Sequence, residues 1–352
     1  MLYINAKTMS LLDQQDIDGL RTALQCAIEL EHSTMPPYLY AWYSLGSSNV
    51  QVARTLESVV KEEMLHMLLA CNILNAVGGR PKIDDPSFVP DYPTHLPGTV
   101  HGELTVGLEP FSSDLAKRTF MEIEEPEHPI PFGLAPPPPA TIGVFYSRIK
   151  KLMTDLETRA ASGTPTATIF TGDFTKQVST GGVGPGLPAA KQKVGKLADA
   201  VAAIDFIVEQ GEGTSASPNF AGQHNEFAHY YRFWELAEKR SLLPNPDARP
   251  TDPPESQFKF GDPIAIDEPA ILPLVVNPKA SQYQGDVRAK CDECNRAYTN
   301  VLKLLQAAFD GRPQVMSDAK DAMFALSDAA RALGDLDVGN GKRAGPTFEY
   351  LP

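Results

Sequence analysis

Two long stretches near the N-terminus place apolar residues three and four positions apart, the spacing that lines one face of an α-helix. They span residues 18–45 and 51–77. The first stripe holds Leu20, Leu24, Ala27, Tyr38 and Trp42, and the second holds Val52, Leu56, Val59, Ala70, Ile73 and Val77. Because a short turn at residues 46–49 joins the two stretches, we expect an antiparallel pair of helices.

The same periodicity returns in the second half of the chain. It resumes at Lys191 and again over residues 223–239, which predicts the third and fourth helices of a bundle. Two further helices are expected at roughly 280–309 and 313–333, before the tail GPTFEYLP. The predicted fold class is therefore all-α, a four-helix bundle with extra C-terminal helices.

A long irregular insertion separates the second and third helices. It is rich in proline, and it contains a strand candidate at residues 102–108 and short helix candidates at 111–124 and 141–160. The expected domain organisation is a bundle over residues 1–240 with its insertion at about 81–190, a proline-rich connection over 241–278, and a helical pair with a tail over 279–352 that packs on the bundle.

Two Glu-x-x-His motifs lie on predicted long helices, Glu63 with His66 and Glu226 with His229. In a helix this spacing puts a carboxylate and an imidazole one turn apart on one face, so both can reach one metal ion. Glu63 and His66 fall on the apolar stripe of their helix, where an uncompensated charge would be costly. The pattern therefore predicts a bound cation.

The first helix carries a matching carboxylate. Glu31 lies on the apolar stripe, whereas Glu29 lies off it, and Glu31 and Glu63 are equally distant from residue 47 at the centre of the turn. An antiparallel hairpin therefore sets Glu31 and Glu63 at one level of the bundle.

On the third helix, two glutamates compete for the corresponding position. The stripe of Val194, Val201 and Val208 favours Glu212 over Glu209, but Gly211 and Gly213 weaken this preference because the helix could end there. The third-helix ligand is therefore a choice between Glu212 and Glu209.

Two other Glu-x-x-His pairs have the same spacing but a different context. Glu29 with His32 is expected to be a surface pair, and Glu125 with His128 is expected in a loop because Pro126 interrupts it. The acidic run that contains Glu122 and Glu124 is expected to be a solvated turn or a lid, and both carboxylates stay candidates for contacts with the ligands.

Ferritin-like proteins with two iron or manganese ions share one ligand set. Two of their helices supply one Glu each, and each of the other two helices supplies a Glu-x-x-His motif. Carboxylates and imidazoles without thiolate favour iron, with manganese as the alternative. Two ferrous ions can give dioxygen two electrons, so oxygen activation with O2 as co-substrate is the expected chemistry. The predicted ligands are Glu31, Glu63, His66, Glu212, Glu226 and His229.

Pro36 and Pro37 follow Glu31 by about one turn. Each removes a backbone N–H, so they either end the first helix at Met35 or kink it beside the metals and widen the bundle.

The charge and composition exclude several classes of partner. A net charge of −13 would repel nucleic acids and anionic membranes. No apolar run is long enough to span a bilayer, and the N-terminus does not have the pattern of a signal peptide. Four cysteines are too few for a disulfide scaffold, so we expect a cytoplasmic protein.

The chain resembles the ferritin-like domain family of iminophenyl-pyruvate dimer synthase, of the violacein-pathway type, as a stand-alone member. The resemblance implies the ferritin-like fold, adds weight to Glu212 and points toward oxidation of amines or amino acids. It is carried by the segments IELEHSTMPPYLYAWYSL, VVKEEMLHMLLACNILNAVGG, IEEPE, IFTGD, IVEQGEGT, HYYRFWEL and AGPTFEY.

The main functional hypothesis is a non-haem di-iron oxidase or oxygenase that acts on a small amine or amino-acid-derived metabolite in secondary metabolism. The alternative is a non-catalytic ferritin-like protein that binds or stores iron. A homodimer is compatible with either hypothesis.

Overall fold

The computed structural model describes ten helices and two small sheets within residues 4–99, 104–126, 141–164, 167–180, 187–211, 227–249, 252 and 256–352. The helical character confirms the predicted all-α class. The helices are α1 (Ala6–Asp13), α2 (Ile17–Tyr43), α3 (Val50–Ala76), α4 (Ser113–Leu115), α5 (Met121–Ile123), α6 (Ile142–Gly163), α7 (Leu197–Gly211), α8 (His229–Glu238), α9 (Gly285–Phe309) and α10 (Met316–Gly334).

The two sheets are antiparallel pairs at the edge of the helical body. Strand β1 (Arg240–Pro244) pairs with β2 (Phe258–Pro263), and β3 (Asp337–Gly339) pairs with β4 (Lys342–Arg343). The strand predicted at residues 102–108 is wrong over its described part, where Val106 forms only an isolated bridge with Thr94.

Helix α2 forms as one continuous element. It starts where the side chain of Asp16 accepts a hydrogen bond from the Gly19 N–H at 2.7 Å, a standard N-cap. The helix passes through Pro36 and Pro37, so of the two alternatives for these prolines the helix end at Met35 is wrong. Pro37 cannot donate to the Ser33 carbonyl, but the Tyr92 hydroxyl donates to that carbonyl instead, at 2.7 Å.

The four bundle helices are α2, α3, α7 and α8. The α2–α3 hairpin is the most extensive helix pair, and α7 and α8 pack on α3 and on each other. Helix α6, from the insertion, packs on α2 and α7. A π-helical turn, Ala116–Phe120, joins α4 to α5 and packs on α8. The insertion therefore adds helical walls to the bundle.

Helix α7 begins later than the periodicity predicts, and it buries a different face. Val201 and Val208 are only half-buried, so the predicted stripe through Val194, Val201 and Val208 is wrong as a helix face. Val194 is buried but precedes the helix. The buried positions of α7 are Ala200, Ala203, Ile204, Phe206, Ile207, Gln210 and Gly211.

The C-terminal hairpin of α9 and α10 covers a second face of the bundle, with α10 on α2 and α9 on α3. His32 lies under it and is only 2% exposed, so the predicted surface position of His32 is wrong. Its Nε2 lies 2.7 Å from the hydroxyl of Tyr298 on α9. Burial lowers the pKa of His32 to about 3, so this imidazole is neutral at physiological pH.

The division of the chain into a bundle, a connection and a C-terminal pair stays a prediction.

In the described residues, no helix is long and apolar enough to cross a membrane.

Replacing Tyr298 with Phe tests the packing of the C-terminal hairpin on α2. The ring stays, but the buried Nε2 of His32 loses its hydrogen-bond partner, so we expect the free energy of unfolding to fall by about 1–3 kcal/mol. Urea denaturation measures this loss. The control is Tyr350→Phe, which removes a hydroxyl that donates to the exposed Asp84 and should change stability by less than about 0.5 kcal/mol. Equal losses in the two variants would contradict the prediction.

Candidate metal centre

Five buried side chains form two overlapping clusters between α2, α3, α5 and α8. One cluster is Glu31, Glu63 and His66, and the other is Glu63, Glu124 and His229. Within each cluster, one potential ligand atom from every residue lies within 4.8 Å of the others. None of the five side chains is more than 6% exposed. Because Glu63 belongs to both clusters, we call them the His66 half-site and the His229 half-site of one centre.

The His66 half-site joins α2 to α3. The Nδ1 atom of His66 lies 3.5 Å from Glu31 Oε2 and 3.5 Å from Glu63 Oε1. The other oxygen of Glu31 accepts a hydrogen bond from the Tyr146 hydroxyl on α6. The Nε2 atom of His66 lies 2.9 Å from the side-chain oxygen of Gln210 on α7. Four helices therefore fix this half-site.

The His229 half-site is built around the first residue of α8. The Nδ1 atom of His229 lies 2.9 Å from Glu63 Oε1 and 3.6 Å from Glu124 Oε2. Glu124 directly follows α5, and its Oε1 accepts a hydrogen bond from the Tyr38 hydroxyl at 2.7 Å. The Nε2 atom of His229 lies 2.7 Å from Glu62 Oε2. Each half-site thus presents a carboxylate oxygen and an Nδ1 atom to Glu63.

Glu63 is held between the two half-sites. Its Oε2 accepts a hydrogen bond at 2.9 Å from Thr34, which lies one turn after Glu31 on α2. Its Oε1 faces the Nδ1 atoms of both histidines. One oxygen is therefore fixed by the protein and the other lies at the centre.

Buried negative charge dominates the electrostatics of the centre. Burial, reinforced by the charge of Glu63, raises the pKa of Glu31 to about 7 against the opposing effect of His66. Burial alone would lower the pKa of His66, but Glu31 and Glu63 raise it to about 10. The pKa of His229 is likewise raised well above its usual range, by Glu124, Glu62 and Glu63 against the effect of burial. The centre therefore requires cations, either as protons on the imidazoles or as metal ions.

The donor atoms fit metal ions. His229 Nδ1 is buried and has no hydrogen-bond partner, although it faces Glu63 and Glu124. Both histidines direct Nε2 at an oxygen acceptor, so a proton on Nε2 leaves the Nδ1 lone pair free for a cation. Carboxylates and imidazoles without thiolate suit iron or manganese. A metal ion would thus satisfy a buried nitrogen that makes no hydrogen bond.

A small cavity of about 30 Å³ adjoins the centre. Its volume is large enough for an ion or for molecules of about the size of water. Its apolar lining includes Leu30, Ile123, Ile142 and Ile207. These side chains limit the access of water to the carboxylates.

The structure brings four of the six predicted ligands together, Glu31, Glu63, His66 and His229. The other two, Glu212 and Glu226, lie outside the described residues. The fourth helix starts at His229, because Phe227 and Ala228 are not helical. The predicted start at residue 223 lies outside the described residues.

The alternative third-helix candidate, Glu209, is half-buried and belongs to neither cluster of the described residues. Burial raises the pKa of its carboxyl, with a contribution from Asp205, while Lys150 opposes the rise. Helix α7 instead brings Gln210 to the centre.

Sequence reasoning missed several residues of the centre. Glu124 was expected at most to contact the metal ligands, yet it lies in the His229 half-site. The sequence feature that could have identified it is its position in the family-like segment IEEPE. Tyr146 lies in the apolar pattern of α6, where a buried hydroxyl needs a partner. Gln210 and Glu62 carried no comparable signal.

Comparisons with known proteins agree with the fold. The model of the Ferritin-like family matches residues 24–238. Dichlorochromopyrrolate synthase of Lentzea aerocolonigenes is 26% identical over 93% of this chain, which corresponds to 35% of that protein. The chain therefore spans about a third of the length of this relative. A ferritin-like protein from Caulobacter vibrioides has a similar structure, with a TM-score of 0.61 at 20% identity over 94% of this chain and 97% of that one.

Substitutions test the position of Glu63 between the half-sites. We expect Glu63→Gln to reduce bound metal at both half-sites, whereas Glu31→Gln should spare the His229 half-site. Metal analysis after equilibrium dialysis measures the stoichiometry. It should fall from about two ions per chain to below one in Glu63→Gln and to about one in Glu31→Gln. The control, Glu57→Gln on the same helix, removes a carboxylate that contacts Lys61 outside the centre. Full stoichiometry in Glu63→Gln would contradict the shared role.

Proposed function

The chain belongs to the ferritin-like family, and from that premise we propose that it is a non-haem di-iron oxidase or oxygenase acting on a small amine or amino-acid-derived metabolite of secondary metabolism. The observation that carries the proposal is the pair of buried clusters that share Glu63. A shared carboxylate between two imidazole half-sites is the arrangement that a two-metal centre needs.

The protein's own residues would hold the centre. Glu31 and His66 would bind one ion, Glu124 and His229 the other, and Glu63 both, while Glu212 and Glu226 stay candidates for further ligands. When bound, two ferrous ions supply the two electrons that activation of dioxygen requires. Thr34, Tyr38 and Tyr146 donate to the carboxylates and so fix their orientation.

Similarity to a named enzyme supports catalysis over storage. The relative from Lentzea aerocolonigenes is named as a synthase, and the likeness covers 93% of this chain. The insertion supports the same conclusion, because Glu124, Ile142 and Tyr146 line the cavity at the centre. The insertion therefore completes the site, whereas a bundle that only stores iron would not require such an insertion.

Anaerobic addition of Fe(II) followed by air tests this proposal. We expect about two irons per chain, uptake of O2 by the loaded protein and a change in the Mössbauer spectrum from ferrous to coupled ferric iron. The metal-free protein and Glu63→Gln serve as controls and should not consume O2. Size-exclusion chromatography and iron analysis complete the test. A large cage that holds many irons would instead support the storage alternative, and failure to bind iron would contradict both.

A further inference from the structure

The two histidines of the centre differ in what holds their outer nitrogen. Nε2 of His229 lies 2.7 Å from a carboxylate oxygen of Glu62, whereas Nε2 of His66 lies 2.9 Å from the amide oxygen of Gln210. All four side chains are at most 1% exposed. With a proton on Nε2, one imidazole therefore donates to a charged acceptor and the other to a neutral one.

Glu62 is ionised and rigidly placed because Arg232 binds both of its oxygens. Arg232 Nη2 lies 2.6 Å from Oε2 and Arg232 Nη1 lies 3.1 Å from Oε1, a bidentate ion pair. Arg232 also donates to the hydroxyl of Ser58, one turn from Glu62 on α3. Its Nε donates to the Phe227 carbonyl at 2.6 Å, just before α8 begins. This network ties the start of α8, and with it His229, to α3.

We propose that the His229 half-site binds a divalent metal ion more tightly than the His66 half-site and fills first. A carboxylate that accepts the outer N–H of a metal-binding imidazole makes the opposite nitrogen a stronger donor than an amide acceptor does. The proposal rests on the metal-binding part of the proposed function and not on its oxygen chemistry.

The difference arises through the hydrogen bond rather than through the total charge near each half-site. Arg232 carries one positive charge against the negative charge of Glu62, so the pair is neutral at a distance. Among the described residues the remaining carboxylates are balanced, because each half-site has Glu63 and one further glutamate. Within that part of the chain, the acceptor at Nε2 is therefore the principal difference between the two half-sites.

Titration of the metal-free chain with Co(II) tests the order of filling. Absorption and equilibrium dialysis should show two binding steps, and a crystal grown with one equivalent should show anomalous density beside His229. Glu62→Gln should weaken the first step roughly 10- to 100-fold. Glu62→Gln also leaves Arg232 buried without its counter-charge, which can destabilise the protein. Gln210→Glu therefore provides a second test. It gives His66 a carboxylate acceptor and should strengthen binding at the His66 half-site.

The control is Glu57→Gln, which lies on the exposed side of α3 and should leave both steps unchanged. Equal occupancy of the half-sites at one equivalent, or first occupancy beside His66, would overturn the proposal while leaving a two-metal centre intact. Unchanged binding steps in both Glu62→Gln and Gln210→Glu would also overturn it. Absence of Co(II) and Fe(II) binding by the native chain would overturn the proposed function as well.

Discussion

The burial of the Glu63 carboxylate at the centre of the bundle is the constraint on which the rest of the site depends. A carboxylate that is 2% exposed is strongly unfavourable unless nearby groups compensate its charge. Thr34 supplies one donor, and the imidazoles of His66 and His229 lie on the other side. Helix α8 supplies one of these imidazoles from its first residue, His229.

The insertion completes this centre from outside the four bundle helices. Glu124 reaches the centre directly after α5, one turn beyond the π-helical turn, and Tyr146 reaches Glu31 from α6. π-Helical turns shift the direction of the residues that follow them and occur often at functional sites. The long insertion thus contributes Glu124 and Tyr146 to the centre, while the α9–α10 hairpin covers a second face of the bundle over His32.

Periodicity predicted the α2–α3 hairpin and the burial of Glu31, Glu63 and His66, because those residues share a face with apolar neighbours inside one long helix. It could not predict the burial of His32, since that depends on α9, which is far away in the chain. For the same reason, Glu124 in an acidic run resembles a solvated residue. Contacts between distant segments are set by tertiary packing, and a pattern within one segment does not contain them.

The hydrogen bonds of the centre also suggest why it would leave room for small molecules. In each of Glu31, Glu63 and Glu124, a hydroxyl group holds one oxygen and leaves the other facing an imidazole. In the part of the chain that the structure describes, three such oxygens and two Nδ1 atoms are fewer donors than two ions of octahedral preference would accept. The positions left over are available to further carboxylates, water or O2. Donors that fix each carboxylate from outside therefore compensate buried charge and leave one oxygen of each carboxylate facing the centre.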